Sequence, residues 1–154
     1  MMIPHHVQAI AMADAALRQA TDPKVIALAP KIKAAQTPEI QRMSGWLAGW
    51  AKPVPAAAGG SDMAGMSGMS DVGAQAGGMM SAREMTDLSA ATGSAFDRMW
   101  LQMMVRHHDG AIDMAETALA KGASSDTKKL AQLIIDSQST EIAEMRSILT
   151  GIKG

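Results

Sequence analysis

All four histidines of this 154-residue chain sit in two adjacent pairs, His5-His6 and His107-His108. Around them lie methionines at helical spacing. Met103 precedes His107 by four residues, Met104 precedes His108 by four, and Met114 lies two turns beyond His107. Residues four apart on a helix lie one above the other. Imidazole and thioether are soft or borderline ligands, and a thioether needs no deprotonation before it binds a metal. The chain holds 15 Met but only 3 Trp, 1 Phe and no Tyr, and it has no cysteine. A donor set of imidazole and thioether without thiolate favours Cu(I) and its analogue Ag(I). Adjacent histidines point about 100° apart on a helix, so one ion chelated by both is disfavoured. The plainer alternative is a pair of core histidines with hydrogen-bond partners, and core filling by Met.

The elements that must position these groups come in two copies. Residues 1–47 align without a gap on residues 103–149, and 18 of the 47 positions are identical. Both His-His pairs fall in register, as do Met2/Met104, Met12/Met114, Gln36/Gln138, Glu39/Glu141 and Met43/Met145. In the second copy, Ser94 is a candidate cap for a helix running to about Lys121 and stopping at Gly122. Its apolar stripes take in Phe96, Trp100, Met103, His107, Ala111 and Met114 on one side and Leu101, Met104, His108 and Ile112 on the other. A second helix from Ser125 or Asp126 to Ile148–Thr150 turns Leu130, Ile134, Gln138, Glu141, Met145 and Leu149 inward. A short turn makes the two antiparallel. The first copy repeats this, with Pro23 in a first helical turn and Pro30 and Pro38 expected to kink or interrupt the helix.

The expected fold is therefore all-α: a four-helix bundle of two antiparallel hairpins with a long crossover. Residues 1–50 form the first hairpin, 51–80 a flexible Met-, Gly- and Ser-rich linker, and 81–154 a short helix plus the second hairpin. Ser81-x-x-Glu84 reads as a capping box for that short helix, Ala82–Ala91.

An antiparallel hairpin sets His107 and His108 level with about Ser139 and Thr140; Gln138 and Glu141 flank that level, and Met145 lies one turn further on. A carboxylate on an inward stripe is costly unless paired. Glu141 should accept a hydrogen bond from a histidine, orienting it, or bind a cation. Glu39 and Gln36 repeat the arrangement in the first copy. In the linker, Met63, Met66 and Met69 form a triplet able to wrap a soft ion, or to dock on the bundle.

Other chemistries are less well served. A net charge of −1 with no basic run speaks against nucleic acid. Apolar stretches are too short to span a bilayer. Clustered oxygens for Ca(II) or Mg(II) and Glu-x-x-His pairs for a di-iron centre are missing. Haem attachment through Cys is impossible. A haem- or metal-dependent oxidoreductase and a purely structural or interaction bundle stand as the alternatives.

These motifs resemble the family called domain of unknown function 305, which includes CopM-type copper-binding proteins. Its pattern runs Phe-Asp, Met-x-x-His-His, Ala-Ile-x-Met-Ala, then Gln-x-x-Glu-Ile-x-x-Met. Phe96-Asp97, Met104 to His108, Ala111 to Ala115 and Gln138 to Met145 match it, as do Met2 to His6, Ala9 to Ala13 and Gln36 to Met43. The resemblance implies a ferritin-like bundle, export to the periplasm or exterior, and non-enzymatic Cu(I) or Ag(I) binding. Metal ions and other copper-handling proteins would be the partners. It also implies a chain trimmed of its Phe-Asp start and signal peptide. The ligand candidates are Met104, His107, His108, Met114 and Met145, with Met2, His5, His6, Met12 and Met43 as counterparts and Met63, Met66 and Met69 as an accessory loop.

Overall fold

The computed structural model describes residues 2–55 and 77–152. Five helices follow one another in these segments: α1 (Met2–Gln19), α2 (Pro23–Gly49), α3 (Ala82–Ala90), α4 (Gly93–Lys121) and α5 (Ser125–Gly151). No strand occurs among the described residues, and none of their helices is long and apolar enough to cross a membrane. The fold is an all-α bundle. Helix α1 packs on α2, α4 packs on α5, and the two pairs meet mainly where α1 lies against α4.

The helix starts follow their capping chemistry. Asp22 accepts from the backbone of Lys24 and Val25 ahead of α2, with Pro23 at its first position. Ser124 does the same for α5. The Ser81–Glu84 box caps α3 from both sides. Ser94 is not the cap of α4. The cap position lies two residues earlier, at Thr92, which makes no side-chain cap bond, and the helix begins at Gly93. Pro30 and Pro38 do not interrupt α2, which runs unbroken through both. Each removes one N–H, but both lie on the exposed side, as do Ile26 and Ala34, whose carbonyls lose that donor. Water can take the donor's place there, so interruption is not forced.

The main core is built where α1, α2, α4 and α5 face one another around Phe96, Trp100, Leu28, Ile32 and Met12. Trp100 is fully buried, and its indole N–H donates to the Met12 carbonyl of α1 at 2.8 Å. Asp97, also buried, closes the turn between α1 and α2. Its carboxylate accepts from the Thr21 N–H, the Thr21 hydroxyl and the Asp22 N–H. A smaller cluster near the α4–α5 turn gathers Ala115, Leu130, Ala131 and Ile134, with Met2, Met43 and Trp46 against it.

The end of the crossover departs from the expected flexible linker. Gly77–Ser81 form a strap over the bundle, with Met79 and Met80 buried. Gln8 clamps it at both edges, its amide donating to the Met80 carbonyl and accepting from the Met80 N–H. The strap can lie this low because it meets glycine on both sides. A Cβ on Gly110 would fall 2.1 Å from the Gly77 carbonyl oxygen, and Gly78 has φ +74°. Side-chain hydrogen bonds and backbone fit hold this stretch despite a composition typical of loops.

Candidate metal centre

The four histidines lie buried in the middle of the bundle. His6 and His108 occupy matching positions and make matching bonds. Their Nε2 atoms pair with Glu39 Oε2 at 2.8 Å and Glu141 Oε2 at 2.6 Å. The rings are fully buried and the two carboxylate side chains 14 % exposed. The anion can only accept, so Nε2 carries the proton. In the neutral ring Nδ1 then holds the lone pair. This carboxylate–histidine arrangement is the one that orients metal-ligating imidazoles.

His5 and His107 meet between the two pairs of helices. Their ring centroids are 3.7 Å apart with a 38° tilt. At that separation the faces touch, so an ion could be reached only from the ring edges. His5 Nε2 donates to the Gly77 carbonyl of the strap at 2.9 Å, which leaves its Nδ1 as the lone-pair nitrogen. Neither nitrogen of His107 meets a partner in good hydrogen-bond geometry among the described residues, although the His5 backbone lies close enough to raise its proton affinity.

Burial sets the protonation of this pair. Desolvation pushes His5 down from 6.5 to about 4, the Gly77 carbonyl opposing and His6 and His108 adding to it. Desolvation likewise holds His107 well below 6.5, with the other three histidines adding to it and the His5 backbone opposing. Both rings are thus neutral at pH 7 and need lose no proton to bind a metal. The same shifts predict acid sensitivity. A histidine whose folded pKa lies below its unfolded value stabilises the fold above pH 6.5, and that stability is lost as pH falls toward 4. The full loss from His5 alone is on the order of 3 kcal/mol. Melting temperatures of metal-free protein between pH 7.5 and 4 should therefore fall chiefly below 6.5; a flat profile there would contradict the neutral-histidine assignment.

Gln36 and Gln138 stand one helical turn before Glu39 and Glu141. Both amides are buried, and neither their nitrogen nor their oxygen has a partner among the described residues. Of the ten buried side-chain N and O atoms without a partner there, nine belong to these four histidines and two glutamines. Each such atom costs about 1–3 kcal/mol. A cost concentrated in one layer marks that layer as kept for something other than stability. Among the described residues no three His, Cys, Asp or Glu side chains are arranged to hold one ion. A metal here would need thioether sulfur to complete its shell.

The methionine candidates divide into two sets. Met12, Met104 and Met145 are fully buried in the main core with Phe96 and Trp100. Met2, Met43 and Met114 are half-buried and line a cavity of about 620 Å³ with Trp46 and Trp50. Met63, Met66 and Met69 lie outside the described residues; Pro55 and Gly77 both line the same cavity. The sequence reading missed the Asp97 and Gln8 clamps and the His5–His107 contact. A signal for the last existed, since equivalent residues of a repeat can meet where its two copies pack.

The family profile of DUF305, a domain of unknown function, matches residues 1–149. No curated protein matches the sequence. Among solved structures, a DUF305 fragment from Deinococcus radiodurans is similar at 29 % identity and TM-score 0.83, over 97 % of this chain and 90 % of that one. A DUF305 protein from Streptomyces coelicolor, for which secretion is inferred, is similar at 28 % identity and TM-score 0.81, over 97 % and 86 %. CopM in its Cu(I)-bound form is similar at 32 % identity and TM-score 0.76, over 100 % and 94 %. CopM has also been solved with Cu(II), with Ag and without metal. With the profile spanning nearly the whole length and these structures matching throughout, this chain belongs to the DUF305 family.

Proposed function

We propose that this protein binds Cu(I), and Ag(I) as its analogue, in the middle of its helical bundle. The observation that carries this reading is the buried layer of imidazole and amide groups without partners. His5 Nδ1, His6 Nδ1, His108 Nδ1 and both nitrogens of His107 have no partner in good hydrogen-bond geometry among the described residues. His5 and His107 are neutral at pH 7, and thioether-bearing helices surround them. The ligands are drawn from these histidines and from Met2, Met12, Met43, Met104, Met114 and Met145. Glu39 and Glu141 fix the ring orientations of His6 and His108, and Gln36 and Gln138 line the site. The likeness to CopM, a protein solved with Cu(I), Cu(II) and Ag, supports the metal class. The protein binds rather than catalyses. It serves metal tolerance, sequestration or delivery in the periplasm or outside the cell, with other copper-handling proteins as partners. The in-register repeat is the product of a duplication.

Metal choice provides the test. Protein exposed anaerobically to equal Cu(I), Ag(I), Zn(II), Mg(II) and Ca(II), then desalted, should retain the first two by elemental analysis, because thioethers bind hard ions poorly. Retention of Zn(II) in their place, unchanged by replacing the six methionines named above with Leu, would refute the reading.

Met63, Met66 and Met69 form an accessory capture segment. Changing all three to Ser should lower copper capacity and leave the helical spectrum and melting temperature nearly unchanged. A large loss of stability would show instead that these side chains pack on the bundle.

A further inference from the structure

Three of the histidines donate a hydrogen bond from the same ring atom. His6 and His108 donate from Nε2 to Glu39 and Glu141, and His5 donates from Nε2 to the Gly77 carbonyl. Each keeps Nδ1 as its lone-pair nitrogen, buried and without a partner among the described residues. Such a bond fixes the tautomer and the ring orientation of a metal-ligating histidine. For His6 and His108 the acceptor is a carboxylate on the next helix of the same hairpin. For His5 it is a backbone carbonyl of the strap, more than seventy residues away in the chain.

The strap's other contacts set the position of that carbonyl. Gln8, one helical turn after His5 on α1, bonds the Met80 N–H and carbonyl at 2.7 and 2.8 Å. The Met80 sulfur accepts from Arg106, and the Ser81 N–H donates to Glu84, both at 2.7 Å. On the α4 side the backbone of Gly77 and Gly78 rests on Gly110, where a Cβ would collide with the Gly77 carbonyl. The ring of His5 is constrained as well. Its face lies against His107, with centroids 3.7 Å apart, which limits how far the ring plane can turn. A half-turn about the terminal torsion would still interchange the two ring edges. The bond to Gly77 chooses between them.

We propose that Gln8 and Gly110 are positioning residues of the metal site: they seat the strap so that the Gly77 carbonyl fixes the His5 tautomer and leaves Nδ1 as the ligand nitrogen. This rests on the Cu(I) reading above and adds to it two residues that bind no metal themselves. The strap then does for His5 what Glu39 and Glu141 do for His6 and His108. A carbonyl orients the ring without bringing a further charge into the layer, where an unpaired charge is costly. Gln8 suits the task because a primary amide both donates and accepts, so one side chain satisfies both backbone groups of Met80. Gly110 suits it because a residue without Cβ lets two backbones lie this close.

The NMR shifts of the two imidazole nitrogens report the tautomer of each ring in the metal-free full chain at neutral pH. In the wild type His5 should show the Nε2–H form alone. In Gln8→Leu and in Gly110→Ala, which disturb the strap from opposite sides, His5 should shift toward a mixture of tautomers. His6 and His108, held by their carboxylates, should keep the Nε2–H form and serve as internal controls. Gly110→Ala also raises the helix propensity of α4, so it carries the test should Gln8→Leu fail to fold. Anaerobic competition titrations should show both variants binding Cu(I) about tenfold or more weakly, the range found when the partner of a metal-bound histidine is removed. In a His5→Leu background, Gln8→Leu should weaken binding no further, a result that general loosening of the bundle would not give. An unchanged His5 tautomer in both variants overturns the proposal and leaves Cu(I) binding standing, as does a changed tautomer with unaltered affinity. A wild type that holds the Nε2–H form yet takes up no Cu(I) overturns the Cu(I) reading and the positioning role with it.

Discussion

His107→Leu is expected to melt at a higher temperature than the wild type without metal and to bind Cu(I) about a hundredfold more weakly or worse. The two effects have one origin. His107 is fully buried, and neither ring nitrogen has a partner in good hydrogen-bond geometry among the described residues. Leucine in that place removes both orphaned nitrogens at similar bulk, a gain of about 1–3 kcal/mol. The lost imidazole removes a proposed ligand that burial keeps neutral at pH 7. His108→Leu should behave differently. It strips the Glu141 carboxylate of its 2.6 Å partner, so the metal-free bundle should lose about 1–3 kcal/mol as well as weakening copper. Thermal melts and anaerobic titrations on both variants separate the roles. A destabilised His107→Leu that binds copper normally would make His107 a packing residue.

The largest loss of stability is expected from Trp100→Ala, about 3–5 kcal/mol. The indole is fully buried at the centre of the main core and also donates to the Met12 carbonyl. Truncation leaves a cavity and an unpaired buried acceptor together. Chemical denaturation should show the midpoint falling with little change in slope. Because Met12, Met104 and Met145 lie in this same core, the variant should also expose them to a thioether-specific alkylating reagent. A loss below about 1 kcal/mol would contradict the core assignment, since full burial of so large a side chain cannot be worth so little.

Much of the architecture was legible in the residues. The apolar stripes and the ungapped repeat announced the helices and their pairing, because periodicity is a local property. That Glu141 would lie near a histidine followed from counting along an antiparallel hairpin; that the histidine is His108 did not. What escaped was long-range. Asp97 sits beside Phe96 on an apolar stripe, yet nothing local says that it will close the α1–α2 turn more than seventy residues away. Gln8 corresponds to Gly110 in the repeat, and the difference becomes meaningful only once the strap is seen to need an amide clamp on one side and bare backbone on the other. Composition made residues 51–80 a flexible linker; side-chain hydrogen bonds override it at Gly77–Met80. The prolines of α2 do not interrupt it, because the cost of a missing N–H depends on whether water can reach the orphaned carbonyl.

Anaerobic titration of the wild-type chain with Cu(I) against a competing chelator tests the central claim most directly. The account predicts that the protein strips Cu(I) from the chelator to a fixed stoichiometry, and that copper raises its melting temperature, as any ligand selective for the folded state must. Burial holds His5 and His107 below the ordinary histidine range, so their share of this competition should resist acid down to pH values toward 4. A protein that leaves the chelator fully loaded, with a melting temperature indifferent to copper, would mean that the buried histidine layer is structural.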